Sequence, residues 1–301
     1  MAGVRAGRPA IAIAIAGALA ISGGVPALAD TATGLRTPEI IATDLVTPRG
    51  VTIGPDGTIY VVEAGSGGDS CYQGPKGPRC VGGSGAVAAV RDGIVTRVVT
   101  GLPSFDQGGD VFGPEHAVLL ANGELLVTVG LAADTDARTN VPGSFGDLMG
   151  TIVRAHADGS TEVFADLGAY EHANNPDGMD VNSGLESNPY GIVLAPDGTL
   201  WATDAAGNDL LRIAGDGTIE TEAVFHVRMV PPPRADVTDA SGAPILLPMQ
   251  SVPTGMTIGP DGALYVTQFT GVPYPPGGAR DRKSTRLNSS HVALSRMPSS
   301  A

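Results

Sequence analysis

The side chains best able to do chemistry in this 301-residue sequence stand at two recurring places. A proline recurs at positions 48, 114, 189 and 253, followed by Arg49, by Glu115 with His116, by Tyr190 and by Thr254. The segments that these prolines open close on Glu63, Val129, Asp204 and Gln268. Glu63, Glu115 and Asp204 offer carboxylate oxygens, the donors that a hard cation such as Ca²⁺ takes. Arg49, His116, Tyr190 and Gln268 add a guanidinium, an imidazole, a phenol and an amide, a set suited to holding a polar ligand. Glu63 and Asp204 also have a structural use, which is the expected one: acids at turns accept hydrogen bonds from nearby backbone N–H groups. His116 has no partner close in sequence, so packing or channel lining is expected of it before a role as base.

Other chemistry is thinner. The stretch 166–186 gathers Asp166, Glu171, Asn174, Asn175, Asp177, Asp180, Asn182 and Glu186. Asp180-Val-Asn182-Ser-Gly184 starts like a calcium loop but lacks the third spaced ligand and the closing Glu of an EF-hand. A long loop of this kind suits a ligand or a partner better. Asp204, Asn208 and Arg212 are expected to lock a turn between strands. Cys71 and Cys80 bracket a Pro/Gly-rich loop, and in an exported chain two such cysteines form a disulfide. Without a companion pair they do not make a zinc site. The sequence contains no Gly-x-Ser-x-Gly elbow, no His-Glu-x-x-His helix and no phosphate-binding glycine loop, and no catalytic residue is assigned.

The elements that must position these residues are repeated hairpins. Segments 46–63, 112–129, 187–204 and 251–268 each carry a short apolar strand, a turn and a second β-rich strand. The turn is Pro-Asp-Gly in three of them and Ala-Asn-Gly in the second. Proline presets the first turn position, and Asp-Gly or Asn-Gly tolerates the positive φ of a chain reversal. Two more strands follow each of the first three hairpins: 85–90 and 93–99, 150–156 and 160–164, 209–214 and 217–225. Four antiparallel strands per unit, repeated radially, describe the blades of an all-β propeller.

At this point the sequence resembles known proteins. The Pro-x-Gly…Pro-Asp-Gly-x-Leu-Tyr-Val pattern looks like six-bladed propellers of the NHL and SMP-30/gluconolactonase type. Ala169-Tyr-Glu-His-Ala-Asn-Asn-Pro-Asp-Gly178, Ser187-Asn-Pro-Tyr-Gly191, Gly207-Asn-Asp-Leu-Leu-Arg212 and Phe269-Thr-Gly-Val-Pro-Tyr-Pro-Pro-Gly-Gly-Ala-Arg280 resemble the ScyD/ScyE family of secreted propellers. The resemblance spans 38–280 and implies six blades in the full-length family, of which about three and a half are expected here. On this reading the fourth blade stops near Gln268, and Pro38–Leu45 is the strand that would complete a last blade. SMP-30-like lactonases place metal-binding Asn and Asp around the axis. None of the four post-proline residues here is Asn or Asp, a departure from the family pattern that counts against such a metal site, while Ca²⁺ stays open as a cofactor.

Both ends of the chain read differently from its middle. Residues 1–29 have Arg5 and Arg8, the apolar run Ala10–Ile21 and the small residues Ala27-Leu28-Ala29, as in a secretory signal cleaved after Ala29. That run is too short to span a bilayer, and the mature chain is expected to be secreted, extracellular or periplasmic, without a membrane span. Back-translated, 281–291 and 295–301 match the two ends of a sequencing-library adapter around a barcode-sized gap. Residues 281–301 are therefore expected to be a non-native, disordered tail, leaving 30–280 as an incomplete propeller domain.

The composition agrees with this organisation. With 43 Gly and 24 Pro, helix bundles are excluded. The net charge is −13; without the first 29 and last 21 residues it becomes −18, from 12 basic and 30 acidic residues. Such a surface repels nucleic acid. The sequence thus points to a propeller that binds or scaffolds a small molecule, glycan or protein. The alternative is a Ca²⁺-dependent hydrolase of SMP-30/gluconolactonase type; a structural envelope component is a third reading.

Overall fold

The computed structural model describes residues 39–74, 77–178, 184–232, 238–243, 245–284 and 294–296, the last three as backbone. The expected signal segment, Asp180, Asn182 and most of the expected tail lie outside the described residues. Contacts divide the chain into Met1–Glu39 and Ile40–Ala301, and the second unit holds every element below.

Blade 1 begins with β1 (Pro48–Ile53) and β2 (Ile59–Glu63), then β3 (Ser70–Gly74), β4 (Gly77–Arg91), β5 (Ile94–Gln107) and β6 (Asp110–Phe112). Its sheet runs β1-β2-β4-β5-β6, with β3 against β4. Blade 2 holds β7 (Pro114–Leu119), β8 (Leu125–Val129), β9 (Thr151–Ala155) and β10 (Thr161–Asp166), with the short helix α1 (Phe145–Leu148) between β8 and β9. Helix α2 (Leu167–Asn174) leads to blade 3, made of β11 (Pro189–Leu194), β12 (Leu200–Asp204), β13 (Asp209–Ile213) and β14 (Ile219–Val224). After the small hairpin β15 (Arg228–Val230) and β16 (Leu247–Met249), blade 4 comprises β17 (Pro253–Ile258), β18 (Leu264–Gln268), β19 (Arg280–Ser284) and β20 (Leu294–Arg296). The four sheets form the antiparallel blades of a β-propeller. Their first strands pack in series, β1 beside β7, β7 beside β11, and β11 beside β17.

The repeated sequence signals acquire physical reasons here. In each blade the pairing register shifts just after the proline, which carries no N–H to donate to the ladder. In the first repeat, the glycine two places on admits a neighbouring blade: a Cβ at Gly50 would overlap the His116 ring. The same position in blade 3, Gly191, faces the Thr254 carbonyl, with no room for a side chain. In the hairpin turn only the glycine takes positive φ, Gly57 at 82° and Gly198 at 86°. Asp56 and Asp197 serve instead as acceptors for the N–H two residues on, at 3.1 and 3.0 Å. This corrects the expectation that Asp-Gly shares the positive φ; the pattern is a turn closed by a glycine bulge.

The core lies between blades. Val62, Val87 and Val99 pack on Ala117, Leu125, Val127 and Val153; Ile152 and Leu126 pack on Ile192, Ala202 and Leu211; Trp201 and Leu210 pack on Leu264 and Val266. Strands β4 and β5 outrun the expected 85–90 and 93–99, forming an arm that carries β3 and β6. The arm buries Val81 and Phe105 against Leu131, Val141 and Met149 of the segment before β9. A Cys71–Cys80 disulfide staples β3 to β4.

Residues 39–45 form no strand; ladder hydrogen bonds need a neighbouring edge, and the last blade that a strand there would complete is not among the described sheets. One expectation is corrected. The fourth blade does not stop at Gln268 but has four strands, with β19 pairing β18 from Gln268↔Arg280 to Tyr265↔Lys283. Residues 280–284 are thus ordered in a sheet. The free edge of β18 asks only for backbone partners, and a charged extended segment supplies them as well as an apolar one.

Candidate functional site

Three blades contribute to one recess. Arg49 opens β1, Glu115 opens β7 and Tyr190 opens β11, and they meet in a cavity of about 390 Å³ also lined by Thr47, Asn188 and Phe112. The tip of the β5–β6 hairpin bends over it, with the Val111 carbonyl accepting from Arg49 Nη2 at 2.7 Å. Glu115 is 3% exposed, and its Oε2 lies 3.6 Å from Arg49 Nε, an ion-pair contact too long for a hydrogen bond. Burial pushes its pKa from 4.5 up to about 7, and the Arg49 charge only partly offsets this. Burial, with Glu115 adding its own charge, raises the Tyr190 phenol too. Spacing alone identified Arg49, Glu115 and Tyr190; Val111, Phe112 and Asn188 were missed, because nothing local shows that the Gln107-Gly108-Gly109-Asp110 turn folds over the axis.

The other expected residues do not join them. His116 points between blades: Nε2 lies 3.4 Å from Val51 O, and Nδ1 accepts from Ile192 N at 3.4 Å. Burial lowers its pKa, in keeping with a neutral ring that bridges β1 and β11. Glu63 is fully buried and accepts from Val46 N at 2.6 Å and from Arg97 at 2.9 Å through both oxygens. Asp204 accepts from Asn188 N (2.6 Å), Gly207 N (2.9 Å), Ala206 N (3.1 Å) and the Ser187 hydroxyl. Gln268 is 2% exposed and accepts from Arg282 Nε at 3.2 Å. The hydroxyl of Thr254, the fourth post-proline residue, bonds within its own blade to that of Thr267.

Glu63, Glu115 and Asp204 therefore do not form a shared cation site. Among the described residues, the group of acids and histidines with ligand atoms within 4.8 Å of one another is Asp134, Asp136 and His172. Asp134 Oδ1 there already accepts from Asp136 N, Thr135 Oγ1 and His172 Nδ1. Asp204 and Asn208 do shape the β12–β13 turn, but Arg212 is not part of it; it faces Glu220 on β14 at 3.4 Å.

A set of threonines outside the expected site residues joins the blades. Thr128, on β8, donates to the Tyr190 carbonyl at 2.7 Å and accepts from His116 N at 3.0 Å. Thr203, on β12, donates to the Thr254 carbonyl at 2.6 Å and accepts from Gly191 N at 2.9 Å. The signal was a threonine just before the end of the second strand in three of the four repeats.

The sequence matches no family model and no curated protein. Among solved structures the chain is similar to a streptogramin B lyase, at 16% identity over 84% of this chain and 55% of that one, with a TM-score of 0.43. It is also similar to a virginiamycin B lyase from Staphylococcus aureus, at 17% identity over 84% and 71% of the two chains, TM-score 0.39. A gluconolactonase from Xanthomonas campestris follows at 15%, 84%, 71% and 0.39. The chain thus spans about half the length of the first of these. Likeness at this level carries no argument about activity, and the propeller assignment rests on the sheets themselves. Among the described residues, no helix is long and apolar enough to cross a membrane.

Proposed function

We propose that this chain is a secreted propeller of ScyD/ScyE type that binds a small molecule or glycan in the recess of Arg49, Glu115 and Tyr190. The observation that carries this reading is the Glu115 carboxylate, buried in the wall of the recess with one oxygen that no hydrogen bond satisfies. Buried polar atoms are ordinarily paired, and a ligand hydroxyl or amine is a fitting partner. Arg49 adds a cation for an anionic or carbonyl group, and Phe112 and Tyr190 add apolar faces of the kind that line ligand pockets. Arg49, Tyr190 and Glu115 are thus binding residues on this reading, while Glu63, His116, Asp204 and Gln268 hold the scaffold.

A second reading is favoured by one observation, the Glu115 pKa of about 7. A carboxyl that titrates near neutrality is suited to general acid–base work, which fits a hydrolase of lactonase type. Ca²⁺ dependence finds little support at this recess, where one carboxylate already faces Arg49.

Thermal-shift screening of sugars, sugar acids and lactones against the full chain, with Glu115→Gln and Arg49→Ala beside it, separates the readings. Stabilisation without turnover, lost in both variants, is the binding result. Lactone hydrolysis abolished by Glu115→Gln is the enzymatic one. Ligand shifts that persist in both variants would remove the recess from either reading.

A further inference from the structure

A second polar site lies where α2 meets the β12–β13 turn. Asp166 caps α2 through Ala169 N at 2.9 Å, and Tyr170 fixes the helix to β14 through a 2.9 Å contact with Thr221 Oγ1. Glu171, the next residue, is thereby turned inward and is 2% exposed. The helix ends on Asn175 at φ 44°, and the chain reverses to place Asp177, 4% exposed, where its Oδ2 accepts from Asn208 Nδ2 at 3.1 Å. From the sheet comes Asp209, fully buried and directly paired with Asp204 across β12 and β13. Paired residues on adjacent strands project to the same face, with Cβ atoms about 5 Å apart. Gly207 sits between the halves: a Cβ there would lie 2.9 Å from Glu171 Oε2 and 3.2 Å from Asp204 Cγ.

Asp204 has its acceptors filled by the turn and by Ser187. The other three do not. Glu171 Oε1, Asp177 Oδ1 and both oxygens of Asp209 are buried without a hydrogen-bond partner among the described residues. No arginine, lysine or histidine pairs with any of the three in the ion pairs of the described residues, Arg138 being engaged with Asp166 at 2.7 Å. Burying unpaired carboxylates is strongly unfavourable unless a proton or a cation joins them.

We infer that Glu171, Asp177 and Asp209 form a buried site for a hard divalent cation, Ca²⁺, with Asp204 locked behind them to orient the turn. The donors are all oxygens, which selects against zinc and copper. Asp209 has two free oxygens for bidentate ligation and the site is enclosed, which favours Ca²⁺ over Mg²⁺, an ion that keeps several waters. No three of these acids yet have oxygens within 4.8 Å of one another, so binding draws the side chains together and ties α2 to blade 3. The site shares no residue with the recess of Arg49, Glu115 and Tyr190.

The test is Ca²⁺ binding to the full chain after EDTA treatment, read by calorimetry and by Tb³⁺ luminescence. Trp201, the single tryptophan, lies three residues before Asp204 on β12, and Tyr170 adjoins Glu171, so both can sensitise Tb³⁺. The expected result is one Ca²⁺ per chain, a melting temperature raised by Ca²⁺ and lowered again by EDTA, and affinity reduced at least tenfold by Asp209→Asn and by Glu171→Gln. Asp136→Asn, in the exposed group at α2, should leave affinity unchanged. Because Asp209→Asn removes a buried carboxyl group whose oxygens have no hydrogen-bond partner, it should fold and melt at or above the Ca²⁺-free parent. Absence of a Ca²⁺ response in the parent overturns the proposal, as does a response that survives both substitutions.

Discussion

Glu115 shows how one buried group couples folding to pH. Its folded pKa of about 7 lies above the 4.5 of an ordinary glutamate, because leaving water disfavours the charged form more than Arg49 restores it. Between those values the folded state holds the proton more tightly than the unfolded chain, so stability falls as pH rises through that window. The loss across that window is on the order of a few kcal/mol. Glu115→Gln should therefore flatten the decline between pH 4.5 and 7, measured by urea unfolding at both ends. An undiminished decline in the variant would assign the pH dependence to other groups. Glu63 is equally buried, and Arg97 and the Val46 N–H take its oxygens.

Single hydroxyls fasten one blade to the next. Thr128 and Thr203 each bridge a register shift in their own blade and reach a carbonyl in the following one. Blade 1 carries Val62 at the matching place, so the valine shape fits this position. Thr203→Val should cost about 1–2 kcal/mol, since it leaves a buried N–H and a carbonyl without their partner. Thr267 is the blade 4 counterpart, but it is exposed and bonds only within its own blade. Thr267→Val should change stability by less than about 0.5 kcal/mol. Chemical denaturation of the two variants side by side checks the difference, and equal costs would argue that these hydroxyls do not fasten the blades.

Across the whole molecule the same alignment exposes where packing ends. Val51 on β1 is 54% exposed, whereas its counterparts Ala117 and Ile192 are 0% and 1% exposed between blades. Ile53 on the same strand is 70% exposed. An apolar strand face this exposed promotes association, and the net charge of −13 opposes it only while salt is low. The chain should therefore self-associate as salt rises, and Val51→Ser with Ile53→Lys should suppress this without lowering its melting temperature. Sedimentation velocity at low and high salt reads the outcome; association unaffected by the pair would place the sticky surface elsewhere.

The sequence by itself determined the four repeats, their hairpins, the outer strands of the first three blades and the Cys71–Cys80 pairing. All of these follow from residues within a few positions of one another: a proline without an N–H, a glycine at positive φ, an Asx side chain closing its own turn. What it left open was which recurring polar residues meet. Arg49, Glu115 and Tyr190 are 66 and 75 residues apart in sequence and converge only because their strands start at the same end of adjacent blades. Glu63 and Asp204 occupy equally regular places yet are consumed by local donors. Asp209 looked like an ordinary strand residue until α2 brought Glu171 and Asp177 to it. Only the tertiary structure decided this, because burial and the partners across a blade interface set the charge, pKa and free valence of a side chain, and periodicity encodes neither.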